Sequence, residues 1–149
     1  MVERIHALAG LLAMLTMAVF WMSTVVAGLF LSVEAVIVVK QGIVLGLFVL
    51  IPLLMITGGS GMALGKKRTA IRMAYKQRRM ILIVANGVLI LGPAALFLSW
   101  RAEAGVVDGL YHGVQMVELL AGAMNLFLMG QNVRAGIRLR RMGAGGERA

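Results

Sequence analysis

Four long apolar runs organise the chain, at about 7–30, 35–57, 80–99 and 110–130, with short polar stretches between them. A helix that crosses a bilayer needs about 20 largely apolar residues, and each run is long enough. Little is left for a soluble domain. Residues 1–133 are therefore expected to form one all-α integral membrane domain, four transmembrane helices in an up-and-down bundle. The segment 58–79 is expected to be a basic loop, with 62–79 as a short interfacial helix, and 134–149 a basic, partly disordered tail. The run from Ala7 to Leu31 is too long for the core of a cleaved signal peptide and is read as a retained helix.

Within the runs the polar and small residues are ordered. Span one gathers Ala9, Gly10, Ala13, Thr16, Phe20, Ser23, Thr24 and Ala27 on one side. Small and hydroxyl residues let helices approach closely, so this side should face the bundle. Span two carries Gly42 and Gly46 as a GxxxG pair, a common close-packing motif. On span four, Tyr111, Gln115, Glu118, Gly122, Asn125, Met129 and Asn132 follow alternating steps of four and three. That spacing puts them on one helical face, as a polar seam hidden from lipid. Pro52 and Pro93 lie inside spans, where each removes a backbone donor that local adjustments must make good.

Depth suggests which polar groups meet. Counting about 1.5 Å per residue from each span's middle, Glu118 lies about 3 Å, and Lys40 about 9 Å, to the outer side of the midplane. A lysine stem bridges that difference, although Lys40 also lies near enough to the span end to snorkel. Glu118 is therefore expected to pair with Lys40 or to be held protonated by amides, with Gln41 and Gln115 completing the network. Asn86 and Asn125 fall within about 2 Å of each other in depth and are expected to hydrogen-bond as interhelical glue.

Charge sets the threading. The net charge is +9, and 13 of 15 basic residues fall on one side: Arg4, the segment 58–79 and the tail. This is the positive-inside pattern and places both termini in the cytoplasm. It also removes the nucleic-acid reading that a basic chain would otherwise invite. Lys66, Lys67, Arg68, Arg72, Lys76, Arg78 and Arg79 are expected to touch anionic lipid headgroups.

Candidate chemistry is sparse. The chain has no cysteine, which excludes disulfides and thiolate-held metals or clusters. "GGSGMALGKKR" looks like a phosphate loop, but Ser60 stands where the first glycine belongs and Lys67 where the closing hydroxyl belongs. His6 and His112 fall at opposite ends of the bundle, about 30 Å apart, so they cannot share one haem iron within a chain. A haem b site using His6 with Met80 or Met129 is the alternative. The 12 methionines invite Cu(I) but also serve as core filler. There is no serine–histidine–acid set, no paired carboxylates and no metal triad.

With "IHALAGLLAMLTMAVFW" at its start and a basic end after the last helix, the chain resembles small bacterial four-helix inner-membrane families of the HemJ-type protoporphyrinogen oxidase and copper-resistance-D type. The resemblance covers outline. It implies a multi-pass protein of the bacterial inner membrane and matches His6 to an early histidine. Where such families carry a lysine and a later histidine in a late helix, this chain has Glu118 and Asn125. The expected function is non-enzymatic: an accessory or interaction subunit of a membrane assembly, with lipids and other subunits or a second copy as partners, and no cofactor or metal. Alternatives are a redox or haem-linked protein using His6, and a proton or small-solute carrier centred on Glu118.

Overall fold

A computed structural model describes the backbone of residues 1–65 and 70–146, and the side chains of 1–61, 63 and 78–137. The elements are α1 (Val2–Phe30), α2 (Val33–Gly65), α3 (Ala70–Asn86), a π-helical turn (Gly87–Leu91), α4 (Gly92–Glu103) and α5 (Gly109–Gly146). Four stretches are long and apolar enough to cross a membrane: Val2–Phe30, Val33–Gly61, Arg78–Glu103 and Gly109–Ile137. The third combines the end of α3, the π turn and α4. Large apolar side chains such as Leu8, Leu45, Phe48, Leu89, Leu120 and Phe127 stand exposed on the outside, a surface compatible with lipid.

The spans form a ring in chain order. α1 packs on α2 and α5, and the third span packs on the same two helices. Among the described residues, no close backbone approach joins α2 to α5, or α1 to the third span; these are diagonal pairs. One end of the bundle carries the N-terminus and the α2–α3 connection and is the terminal end. The α1–α2 and α4–α5 connections mark the loop end.

The expected small face of α1 does pack inward, with Ala9, Ala13, Thr24 and Ala27 buried. Met17 rather than Thr16 fills the core there, beside Leu50, Leu54, Ile83 and Met129. The GxxxG pair is divided in use. Gly46 receives the ring of Phe20, whereas Gly42 faces open space.

Pro93 lacks an N–H, so the carbonyl of Leu89 loses its helical partner. The backbone widens just before it: the Gly92 N–H reaches back five residues to the Gly87 carbonyl. Such local π adjustment is how a spanning helix absorbs a proline. Pro52 is carried inside a continuous α2.

At the terminal end the helix bounds differ from those expected. Helix was expected over 62–79; α2 instead continues to Gly65, and α3 begins at Ala70. Gly58, Gly59, Gly61 and Gly65 do not interrupt α2, in keeping with the tolerance of spanning helices for glycine. Residues 66–69 lie outside the described residues. Beyond 134, α5 continues through Gly146, where arginines, leucine and alanine are good helix formers, and the last residues of the tail, 147–149, lie outside the described residues.

The loop end is closed by local backbone chemistry. Gly105 has φ of 69°, the left-handed conformation that glycine adopts without strain. The Gly105 and Val106 N–H groups donate to the carbonyls of Ala102 and Arg101, sealing the end of α4. Asp108 then caps α5: its Oδ1 accepts the Tyr111 N–H at 3.0 Å. Its Oδ2 accepts from Arg101 at 2.5 Å, and that guanidinium sits 5.5 Å over the Phe97 ring. The Tyr111 N–H first, then Arg101, hold the Asp108 carboxyl below its ordinary value of 3.8. A lowered carboxyl stabilises the fold above that value and stops doing so as pH falls through the lowered one. Asp108→Ala should therefore lower the melting temperature by a few degrees at neutral pH, and by less in strong acid. Thermal unfolding of detergent-purified protein at both pH values checks this.

Candidate functional site

The seam of α5 points inward. Tyr111, Glu118, Gly122, Asn125 and Met129 are buried, while Gln115 and Asn132 are half-buried. Glu118 meets Lys40 at 2.5 Å, and Lys40 is 1% exposed. The two residues belong to α5 and α2, the diagonal helices. The long lysine stem thus crosses the bundle where the backbones do not touch. Gln115 also donates to Glu118, at 2.9 Å. Both donors reach Oε2. Isolated charges are costly in a membrane interior, and this pairing with an added amide bond is what offsets that cost.

Two turns toward the terminal end, Asn86 and Asn125 form a second latch. Asn86 Nδ2 donates to Asn125 Oδ1 and to the Ala121 carbonyl, each at 2.9 Å. Asn125 Nδ2 donates in turn to the Ile83 carbonyl at 3.2 Å. Each amide therefore binds the other helix's backbone as well as its partner side chain. Asn125 is fully buried, and Asn86 stands directly before the π turn.

Between the two latches lies a central cavity of about 50 Å³. Every span lines it. α1 contributes Met17, Phe20, Trp21 and Thr24, and α2 contributes Ile43, Leu47 and Leu50. The third span supplies Leu91 and Ala95, and α5 supplies Glu118, Leu119 and Gly122. Glu118 is the one ionisable residue on its wall. Trp21 is anchored by its Nε1 donating to the Leu119 carbonyl at 2.9 Å, and its ring packs over Gly122. Sequence reasoning missed Trp21, Gly122 and the cavity as parts of the site. The available signals were an indole N–H deep in a span, which needs a partner, and a glycine within the seam.

Other candidates separate from this centre. Gln41 is exposed and donates to Glu103 at 3.1 Å instead of joining Glu118. One residue along a helix turns a side chain by about 100°, so Gln41 cannot face where Lys40 faces. Glu103 also accepts from Ser99, which makes a separate polar group at the loop end. His6 lies at the terminal end. Its Nδ1 is 3.1 Å from the Thr57 carbonyl, which only accepts, so Nδ1 carries the hydrogen. Ser60 Oγ lies at the same distance. The His6 ring and the Met80 thioether both crowd Gly61: a Cβ there would lie 3.1 Å from His6 Cε1 and 2.6 Å from Met80 Sδ. Met129, the other proposed companion of His6, belongs to the apolar core. His112 is exposed at the opposite end, against the Asp108 carbonyl. Among the described residues, no three histidine or carboxylate side chains gather as a metal site. Of the basic headgroup candidates, Arg78 is exposed and Arg79 half-buried at the start of the third span. Lys66, Lys67 and Arg68 lie outside the described residues, as do the side chains of Arg72 and Lys76.

Fold and site together define a bundle of four stretches long and apolar enough to cross a membrane, with an ion pair buried across its diagonal. No protein-family model matches the chain, and neither a curated protein nor a solved structure is significantly similar to it.

Proposed function

We propose that this chain is a small, non-enzymatic integral protein of the bacterial inner membrane that packs with, or regulates, a larger membrane assembly. The observation that carries this reading is how the interior polar groups are used. Lys40, Glu118, Asn86, Asn125 and Trp21 bind one another or helix backbones across the bundle, and Gln115 supports Glu118 from within α5. Contacts of this kind fix helix register and leave the outer faces free for lipid and neighbouring subunits. The positive-inside bias supports cytoplasmic termini, with the basic residues from Lys66 to Arg79 against anionic headgroups.

Cross-linking in native membranes, followed by affinity purification, tests the reading. A heavier membrane complex should be recovered in stoichiometric amount; recovery of the chain only by itself would overturn it. Reporter fusions check the threading. Fusions at Gly61 and Gly145 should report cytoplasm and a fusion at Glu103 the outer side, and an external Gly61 would reverse the layout.

The convergence of His6 and Met80 on Gly61 favours one second reading, a haem-linked protein. The purified chain is expected to lack a strong Soret band. A stoichiometric haem spectrum abolished by His6→Ala would replace the accessory reading with this one.

A further inference from the structure

The Lys40–Glu118 pair has a feature that a purely structural clamp does not need. Lys40 and Gln115 both donate to Oε2 of Glu118. Among the described residues no donor is directed at Oε1, and Oε1 is not one of the sealed, partnerless polar atoms of the interior. Glu118 is one of the residues that line the central cavity. That cavity, about 50 Å³, has room for about three waters at 10–15 Å³ each. Its wall is largely apolar, and Glu118 and Thr24 are the lining residues whose side chains end in oxygen.

We propose that Lys40 and Glu118 form a proton-binding site, with water in the central cavity as the medium that delivers and removes the proton. The proton moves along the 2.5 Å line from Nζ to Oε2. One N–H bond breaks and one O–H bond forms, converting the charged pair into a neutral amine and a neutral carboxylic acid. Rotation of the carboxyl group turns its O–H to a cavity water, which takes the proton as hydronium and leaves Glu118 ionised beside a neutral Lys40; in the other direction hydronium in the cavity protonates Glu118 at Oε1 while Lys40 stays charged. No oxidant, reductant or further reactant is involved.

The surroundings suit this task. α1 brings Trp21 and Thr24 to the cavity, and the third span brings Leu91 and Ala95; neither adds a charge. α2 contributes Lys40, and α5 contributes Gln115 on the loop side of Glu118. Tyr111 stands within electrostatic reach of Glu118, and its buried hydroxyl has no protein partner. That hydroxyl is sealed from the cavity and takes no part in the exchange of water. The Asn86–Asn125 latch lies on the other side of the cavity, toward the terminal end.

Acid–base difference infrared spectroscopy tests this on the full chain in lipid nanodiscs, in H2O and D2O, between about pH 4 and pH 9. A carboxylic-acid C=O band should titrate in the native chain and be absent from Glu118→Gln. In D2O it should shift to lower frequency within the mixing time. In Lys40→Gln it should persist with a displaced midpoint. Identical difference spectra for the native chain and Glu118→Gln would overturn the proposal, since Glu118 would then hold one protonation state throughout. A Glu118 band that does not shift in D2O would also overturn it, because the cavity would then carry no exchanging water. Size-exclusion profiles matching the native chain exclude misfolding as the reason for a missing band.

Discussion

Lys40→Met and Glu118→Leu should each destabilise the bundle by about 3 kcal/mol, and the double variant should recover most of that loss. The expectation follows from what each single change leaves behind. Lys40 is 1% exposed and Glu118 8% exposed, so neither partner can reach bulk water when the other is removed. An uncompensated buried charge is far more damaging than a lost interhelical hydrogen bond, which averages about 0.6 kcal/mol in membranes. With both charges gone, methionine and leucine fill similar volume and strand no charge; only the half-buried Gln115 amide loses its acceptor. The signs of the pH dependence are opposite for the two single variants. A lone carboxylate is relieved by taking up a proton, so the loss in Lys40→Met should shrink as pH falls. A lone ammonium is relieved by releasing one, so the loss in Glu118→Leu should shrink as pH rises. Reversible unfolding in bicelles, run as a double-mutant cycle, measures all of this. Single-variant losses below about 0.5 kcal/mol would place the pair among ordinary membrane hydrogen bonds.

How much of this centre was legible in sequence divides along physical lines. Spacing alone locates the seam, because steps of three and four define a helical face whatever the neighbours do. Depth alone suggests Lys40 with Glu118 and Asn86 with Asn125, because helices rise uniformly per residue. Neither argument says which helices are diagonal. That depends on ring order, and ring order decides that Lys40 reaches across the axis and leaves a cavity beneath it. Gln41 shows the same limit in reverse. It shares the depth of Gln115 but not the azimuth, and it turns to Glu103. The π turn was foreshadowed by Pro93 only as a local adjustment of unknown form. Helix continuity at 58–65 was obscured by glycines, which read as loop in a soluble chain but are ordinary in a spanning helix.

The same dependence on neighbours makes the two glycines of the GxxxG pair separable by experiment. Sequence treats Gly42 and Gly46 alike. In the fold, a Cβ on Gly46 would lie 2.8 Å from Phe20 Cε1 and 3.3 Å from Cε2, with Cζ nearer still. A Cβ on Gly42 would meet nothing within 4 Å. Gly46→Ala should therefore force Phe20 aside along the α1–α2 contact, at a loss of about 2 kcal/mol, as overpacking usually brings. Gly42→Ala should be neutral or stabilising by up to about 1 kcal/mol, since alanine is the better helix former. Phe20→Leu shortens the ring that occupies the Gly46 notch. Combined with Gly46→Ala it should recover much of the loss, and the coupling between the two positions should be favourable and well above 0.5 kcal/mol. Equal effects at Gly42 and Gly46 would mean that the motif acts outside this chain's own α1–α2 contact. In that case the exposed Gly42 face, rather than the Phe20 notch, would be where close helix approach matters.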